Sequence, residues 1–341
     1  AALAALALAA LPGAARAAPA GVDPPAAFAR PFYVGAFLGD AESRTQVIDR
    51  SMERYARQSG KRAAFVKTFH NLGEDFAATA WSGQLLRRIS SAGSTPFVAL
   101  DLRWRGGPER DLLDAIVAGR ADLEIARMAR GLASAGTVLV EPGWEMNGDW
   151  NYAWQGVANG REAGPAKYVA AFRRIVDISR REGATNVKWV FAPNVGNALT
   201  HAATGPRHWN WYGHYYPGDR YADYLALHGY NGPSVWGGAH RSFAEIFDGA
   251  GADHALSDME RRYPSKRILI GEFGSQEGRG FDKGRWITDA FNTLRAHPRV
   301  IGAVWFDMNK EADWRIASSR GSADAWRAVM RDGNIRESFG G

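Results

Sequence analysis

The feature of this sequence that most constrains its fold is an alternation of short apolar segments with longer segments of helical periodicity. A short apolar run bounded by glycine or proline is typical of a buried strand. Between these runs, apolar residues recur at helical spacing, as at Tyr168, Phe172 and Ile175. The predicted strands lie at residues 33–37, 63–66, 96–100, 187–191, 225–228, 267–271 and 301–306, and in a run that begins at Val138. This order predicts an α/β protein, a single parallel (β/α)8 TIM barrel with its functional site at the C-terminal strand ends.

The N-terminal twenty residues do not fit this alternation. They form an apolar, alanine-rich stretch that ends in Ala-Arg-Ala followed by Ala18, a small-residue pattern typical of signal-peptide cleavage. We predict a signal-peptide remnant at 1–20, a linker at 21–30 and the barrel domain at 31–341. The apolar stretch is too short to cross a bilayer, so we expect no membrane insertion and a secreted or periplasmic protein.

The composition of the chain limits its chemistry and its partners. Cysteine is absent, which excludes a disulfide, a thiolate nucleophile and a cysteine-bound zinc ion. The formal net charge is +6, but the basic residues are scattered in pairs such as Arg87-Arg88 and Arg173-Arg174. This scatter favours a solvated surface over nucleic-acid binding. We favour a monomer.

Two strand ends carry candidate catalytic residues. Glu145 follows the fourth predicted strand and lies among Trp144, Trp150 and Trp154. Indole walls desolvate a carboxyl group and favour the protonated form that a general acid needs, and their flat faces suit a sugar ring. Glu272 ends the seventh predicted strand. Two carboxyl groups at the same end of a barrel are what a retaining glycosidase requires.

Two other patterns suggest metal sites, but neither is complete. The residues from Asp307 to Asp313 alternate like the start of a calcium loop, yet Ala312 occupies the position that requires glycine. His201, His208 and His214 lack the spacing of a zinc site. We therefore predict no metal and no cofactor, and we expect Asp307 to line the cleft.

Several motifs, taken together and in order, resemble glycoside hydrolase family 26, best known for endo-β-1,4-mannanases. The resemblance extends from about Tyr33 to Ile316. It is carried by W-E-M-N-G-D-W at 144–150, V-K-W-V-F-A-P-N at 187–194, L-H-G-Y-N at 227–231, I-L-I-G-E-F-G at 268–274 and V-W-F-D-M-N-K-E-A-D-W-R at 304–315.

The resemblance implies a role for individual residues. Glu145 would be the general acid/base, and Glu272 the nucleophile that forms a covalent glycosyl-enzyme. Tyr230 would hydrogen-bond the nucleophile, and Trp305 would be a sugar platform. Among the substrate-binding candidates, Asn147 and Asn194 either contact sugar or hold the loop backbone, and Trp144, Trp150 and Trp154 either wall the sugar subsites or pack the loop.

Three positions depart from the family pattern. Trp144 replaces the usual histidine before the acid, Glu141-Pro142-Gly143 replaces an R-P-F segment and so removes an arginine, and His228 replaces an aspartate. These changes concern sugar contacts more than the reaction. We therefore expect a retaining endo-β-glycanase, most similar to β-1,4-mannanases. The alternatives are a hydrolase of β-1,3-xylan, mixed-linkage β-glucan or bacterial exopolysaccharide, and a non-catalytic polysaccharide-binding barrel.

Overall fold

The computed structural model of the chain describes residues 27–39, 45–196, 205–250 and 254–340. The predicted signal-peptide remnant, most of the predicted linker and His201 lie outside these residues. Eight parallel strands follow one another around a closed barrel, with β1 paired to both β8 and β2. They are β1 Phe32–Phe37, β2 Phe65–Asn71, β3 Thr95–Asp101, β4 Val138–Pro142, β5 Val187–Phe191, β6 Tyr224–Asn231, β7 Arg267–Ser275 and β8 Val300–Phe306.

Helices connect the strands and cover the outside of the barrel. Those in the described residues are α1 Thr45–Ser59, α2 Trp81–Ser91, α3 Leu112–Val117, α4 Asp122–Leu132, α5 Gly164–Arg181, α6 Pro233–Trp236, α7 Phe243–Phe247, α8 Ala255–Arg262, α9 Lys283–Ala296 and α10 Arg320–Met330. A two-residue strand, β9 Ile335–Arg336, pairs with the start of β1. None of these helices combines the length and apolar character that a bilayer crossing requires.

The predicted (β/α)8 barrel is confirmed, and the main difference concerns the second strand. Its predicted end at residue 66 was wrong, because β2 continues to Asn71. The apolar pattern is interrupted by Lys67, whose side chain is completely buried inside the barrel. A lysine in an apolar run argues against a buried strand unless the fold supplies its counter-charges, and here it does.

The core between the barrel and its surrounding helices forms by packing of large side chains, as the contacts of Trp305 show. Trp305 of β8 packs against Trp286 of α9 and Trp326 of α10, with ring centroids 6.1 Å and 5.3 Å away. Successive side chains of a strand point to opposite faces, so this outward position leaves Phe306 on the inner face. Burial of each such large apolar side chain stabilises the fold by roughly 2–3 kcal/mol.

The strands of the barrel are not joined equally. The β2–β3 ladder is in register from Phe65 to Asn71, and the β6–β7 ladder extends from Tyr224 to Asn231. In contrast, β1 meets β2 at the pairs Ala36–Val66 and Phe37–Lys67, and β5 meets β6 at Val190–Tyr224 and Phe191–Leu225. These two ladders lie on opposite sides of the barrel, between the half β2–β5 and the half β6–β1. The β5–β6 joint continues toward the mouth through the bridge between Asn194 and His228.

Candidate active site

Glu145 is held by the loop that follows β4. Its backbone N–H donates to the carbonyl of Ala192 at 2.8 Å, and its own carbonyl accepts from the side-chain amide of Gln155 at 3.0 Å. Its φ is +54°, in the left-handed region that residues with a side chain rarely adopt. Such conformations persist where the surrounding structure enforces them, and they cluster at functional sites. The loop therefore fixes the direction of the Glu145 side chain.

Glu272 lies in the C-terminal half of β7 and is 5% exposed. Its Oε2 accepts a hydrogen bond from the Tyr230 hydroxyl at 2.5 Å, and its Oε1 lies 2.8 Å from the Lys67 ammonium. Tyr230 comes from the neighbouring strand β6, at the end that faces the barrel mouth. Oε2 of Glu272 is thus held by a hydrogen bond from β6, and Oε1 by an ion pair with a lysine of β2.

The side chain of His228 connects the two glutamates. Its Nδ1 lies 3.4 Å from Oε1 of Glu145 and 3.9 Å from Oε1 of Glu272. The two carboxylate oxygens are therefore no farther apart than the sum of these distances, about 7 Å. Retaining glycosidases hold their carboxyl groups about 5–5.5 Å apart, and inverting ones about 6.5–9.5 Å apart. The limit of about 7 Å on this one pair of oxygens is compatible with the separation of a retaining enzyme.

Beneath the two glutamates lies a buried cluster of charges. Lys67, Glu141 and His228 are completely buried, and the Lys67 ammonium contacts the carboxylates of both Glu141 and Glu272. It also donates to the carbonyl of Gly271 at 3.1 Å. The His228 Nε2 lies 3.3 Å from Oε2 of Glu141. Glu141 therefore contacts two basic side chains, and each of these also approaches a candidate catalytic glutamate.

The cluster shifts the pKa values of its members. Burial alone would raise the pKa of Glu272, but Lys67 and His228 hold it below its usual value. Burial alone would lower the pKa of Lys67, but Glu141 and Glu272 raise it. The pKa of Tyr230 is well above its usual value, first because of burial and then because of the nearby Glu272 carboxylate. Glu272 is therefore ionised at neutral pH, as a nucleophile must be.

Glu141, His228 and Glu272 also place three potential metal-ligand atoms within 4.8 Å of one another. The Lys67 ammonium already contacts both carboxylates of this group. The lysine thus supplies the positive charge that a metal ion would otherwise bring.

Asn147 and Asn194 connect the loops after β4 and β5. The Asn147 side chain donates to the backbone carbonyl of Asn194 and accepts from its N–H, both at 2.9 Å. The Asn194 side-chain amide then donates to Oε1 of Glu145 at 3.3 Å. Asn147 thus holds the loop backbone, and Asn194 contacts the candidate acid itself.

Two of the predicted sugar-binding residues are corrected by the structure. Trp305 is completely buried against α9 and α10 because strand alternation directs it outward. Trp154 is 1% exposed, and its indole N–H donates to the carbonyl of Trp144 at 2.8 Å. Neither ring offers a face to a sugar. Trp154 instead supports the loop that carries Glu145.

The remaining substrate-binding candidates lie around the barrel mouth. Trp150 and Tyr230 are half-buried, whereas Trp144 is 7% exposed and packs edge-on against Phe69. Asp307 is buried, and its carboxylate accepts from the N–H of Ile316 at 2.7 Å, which ties down the loop after β8. Sugar contact by Trp144, Trp150 and Tyr230 stays a prediction. The hydrogen bond of Asp307 favours a structural role.

Sequence reasoning missed three residues of the site. Lys67 escaped because β2 was predicted to end before it. Gln155, completely buried, accepts from the N–H groups of Trp150 and Tyr152, each at 3.1 Å. The half-buried Tyr152 has a raised pKa, caused first by burial and then by the Glu145 and Glu272 carboxylates. A charged residue within an apolar run was the available signal for Lys67, whereas nothing local marks the other two.

The chain is similar to known proteins, although no protein-family model matches it. A curated relative, Endoglucanase H of Acetivibrio thermocellus, is 37% identical over 308 residues, which is 88% of this chain. The chain spans 30% of the length of that relative.

Comparison with solved structures shows which known fold the chain shares. A family 26 β-mannanase of Bacteroides ovatus superimposes with a TM-score of 0.64 at 16% identity, over 90% of both chains. A Bacillus subtilis mannanase gives 0.60 at 17% identity, over 89% of this chain and 85% of that one. The family 26 domain of a Prevotella bryantii endo-β-mannanase/endo-β-glucanase gives 0.60 at 13% identity, over 90% and 91%. The resemblance is confirmed: the chain shares the fold of glycoside hydrolase family 26.

Proposed function

We propose that this protein is a family 26 glycoside hydrolase, an endo-acting β-glycanase that retains the configuration at the anomeric carbon. The observation that carries the proposal is the approach of Glu145 and Glu272 to one nitrogen of His228 in the mouth of the barrel. The fold neighbours and the curated relative support the same class of reaction. A binding protein has no use for two such carboxyl groups with different hydrogen-bond partners.

In the first step, Glu145 donates its proton to the glycosidic oxygen while Glu272 attacks the anomeric carbon. The bond to the leaving sugar breaks, and an ester forms between Glu272 and the remaining sugar. The hydrogen bond from Tyr230 and the contact with Lys67 keep Glu272 ionised and oriented for this attack. Asn194 holds one oxygen of Glu145, so that the other can carry the proton.

In the second step, the Glu145 carboxylate takes a proton from water. The water oxygen attacks the anomeric carbon and the ester bond breaks, which restores the Glu272 carboxylate and the acid form of Glu145. Two inversions give net retention. The acid/base, the nucleophile and the residues that hold them are all side chains of this protein.

The substrate is a polysaccharide with a β-1,4-linked backbone, and mannan and glucan are the two candidates. The structural neighbours include mannanases, but at 16–17% identity they define only the fold. The relative at 37% identity is an endoglucanase. Together with Trp144 in place of the family histidine, this likeness makes β-glucan, including its mixed-linkage form, a specific second candidate beside mannan. Export of the protein, its monomeric state and the boundaries of its barrel domain stay predictions.

A polymer panel tests the proposal. Purified protein is incubated with mannan, galactomannan, β-1,4-glucan, mixed-linkage β-glucan, β-1,3-xylan and bacterial exopolysaccharides, and the release of reducing ends is measured together with the fall in viscosity. An endo-acting enzyme lowers the viscosity early, before many reducing ends appear. Nuclear magnetic resonance of the first products distinguishes retention from inversion. Binding without hydrolysis across the panel would support the polysaccharide-binding barrel instead.

A further inference from the structure

Both ring nitrogens of His228 face carboxylate oxygens. Nε2 lies 3.3 Å from Oε2 of Glu141, and Nδ1 lies 3.4 Å from Oε1 of Glu145 and 3.9 Å from Oε1 of Glu272. The ring is completely buried. A neutral imidazole carries a proton on one nitrogen and a lone pair on the other. In this position a neutral ring would direct its lone pair at a carboxylate.

The charges around the ring come from three different strands and one loop. Lys67 lies on β2, Glu141 on β4, Glu272 on β7, and Glu145 on the loop after β4. With Lys67 and His228 both positive, the three carboxyl groups make the cluster neutral when one of them, Glu145, holds a proton. A buried net charge is strongly unfavourable, so a positive charge on His228 offsets the carboxylates that surround it.

The same balance holds after the first half of the reaction. Once Glu272 is esterified it carries no charge, and Glu145 has given its proton to the leaving sugar. Lys67 and His228 are then opposed by the carboxylates of Glu141 and Glu145. The buried cluster therefore has zero net charge both before and after the glycosyl-enzyme forms, provided that His228 stays protonated.

We propose that His228 is a doubly protonated imidazolium that positions both catalytic glutamates, and that Glu141 is the counter-ion that keeps it protonated. This inference rests on the proposed function. The charge of the ring lies nearest to Oε1 of Glu145, at 3.4 Å from Nδ1, without a hydrogen bond. Asn194 donates to the same oxygen, so that the acid proton is left to Oε2. The same nitrogen lies 3.9 Å from Oε1 of Glu272, which Lys67 also contacts, whereas Oε2 of Glu272 accepts from Tyr230.

The surroundings of His228 support its protonation and suggest the variant to test. Burial and Lys67 lower the pKa of His228, but Glu141 and Glu272 outweigh them and raise it to about 9. Glu141→Gln removes one of the carboxylates that raise it and keeps the shape of the side chain. We expect His228 in this variant to lose its proton at a pH about one unit lower or more, a tenfold or greater loss of proton affinity.

The first experiment measures protonation directly. The full chain is labelled with nitrogen-15 histidine, the signal of His228 is assigned by its absence in His228→Asn, and the protein is titrated by nuclear magnetic resonance. We expect both nitrogens to be protonated at neutral pH, with a midpoint lowered in Glu141→Gln and also in Glu272→Gln. Glu74→Gln is the matched control, since Glu74 contacts a different histidine, His70, at 2.6 Å and the variant should leave the His228 midpoint unchanged. A neutral His228 ring at neutral pH would overturn the inference.

The second experiment is the pH profile of kcat/KM on the polymer that the panel identifies. The alkaline limb is set by the loss of the proton that Glu145 must carry as the acid or, in our proposal, of the His228 proton. In Glu141→Gln this limb should move to lower pH, and kcat/KM should fall by about tenfold for each pH unit above the lowered His228 midpoint. Glu74→Gln should keep the wild-type profile. The titration does not depend on turnover, so an imidazolium in a protein that hydrolyses no polymer would refute the proposed function alone. A shifted midpoint with an unmoved alkaline limb would refute the positioning role alone.

Discussion

The two ends of the barrel contain buried charge in different arrangements. At the N-terminal end, Asp332 lies 3.3 Å from Arg295 and accepts from the N–H groups of Phe28 at 2.8 Å and Asn334 at 2.9 Å. One anion meets one cation there, and the remaining carboxylate capacity is taken up by the backbone. At the C-terminal end, three carboxyl groups share Lys67 and His228.

The difference shows what each end is built to do. The Arg295–Asp332 pair balances one anion with one cation, and its hydrogen bonds tie the segment before β1 to the segment before β9. The cluster at the mouth has one carboxyl group more than it has cations, and its neutrality depends on a proton that can leave. Buried charge of the first kind fixes structure, whereas the second kind supports acid–base chemistry.

The largest expected effect is a loss of kcat that results from a substitution at the C-terminal end of the barrel but not from one at the N-terminal end. Glu272→Ala should lower kcat by at least about 10⁴-fold, because no covalent intermediate can form. Added azide should restore turnover by attacking the anomeric carbon in place of Glu272, with glycosyl azide as the product. Asp332→Ala at the other end should reduce stability and leave kcat within a few-fold. Turnover retained by Glu272→Ala would remove this residue from the mechanism.

The next effect concerns the acid. Glu145→Ala should slow hydrolysis of the natural polymer by about 10²–10⁴-fold, because its leaving group needs a proton. Aryl glycosides with good leaving groups should be slowed much less in the first step. The comparison of kcat/KM for the two kinds of substrate measures this difference. Equal slowing of both would contradict the acid role of Glu145.

A third prediction compares the cations of the two ends. Lys67→Met and Arg295→Met should each lower the free energy of unfolding by about 3–5 kcal/mol at neutral pH, because each leaves a buried carboxylate without its partner. Only Lys67→Met should also lower kcat. Chemical denaturation and the polymer assay measure the two quantities. A large loss of kcat in Arg295→Met would contradict the distinction between the ends.

The pH dependence of Lys67→Met follows from the lowered pKa of Glu272. A lowered folded-state pKa contributes stability that is present above the unfolded pKa and is lost as the pH falls through the folded value. Removal of Lys67 removes this contribution. The stability difference between wild type and Lys67→Met should therefore shrink as the pH falls below about 4, the range in which free glutamate takes up its proton.

The smallest expected effect distinguishes Trp150, which lies at the mouth of the barrel, from Trp154, which supports the loop that carries Glu145. Trp150→Ala should raise KM by up to about tenfold, because a half-buried ring at the mouth loses a stacking contact with sugar. Trp154→Ala should instead lower the free energy of unfolding by about 3–5 kcal/mol, because it leaves a cavity behind Trp144. An unchanged KM for Trp150→Ala would place this ring outside the subsites.

The fold could be predicted because its signals are local. Each apolar run and each helical repeat is visible within about a dozen residues, and their alternation leaves few topologies. The position of Glu145 and Glu272 followed, since parallel strands bring their C-terminal ends to one rim. The charge cluster could not be predicted, because Lys67, Glu141 and His228 come from three strands. Glu141 and His228 stand out as departures from the family pattern, but nothing in the sequence shows that the three side chains meet.

The failure at Trp305 has a different cause. The motif correctly placed this tryptophan on β8, but a motif does not state which face of the strand a side chain occupies. The packing of Trp305 against Trp286 and Trp326 settles that face. Phe306, one residue on, has its ring 5.8 Å from that of Tyr230, on the side of the mouth.

The spacing of the two catalytic glutamates depends on how the two halves of the barrel meet at the short ladders β1–β2 and β5–β6. Glu145 belongs to one half and Glu272 to the other, and both Lys67 and His228 bridge the two. A small hinge-like opening at these joints would change the spacing of the carboxyl groups without breaking either half. Amide hydrogens at the two joints should then exchange with solvent sooner than those of β2–β3 or β6–β7, and a bound oligosaccharide that spans the mouth should slow that exchange by clamping the halves together.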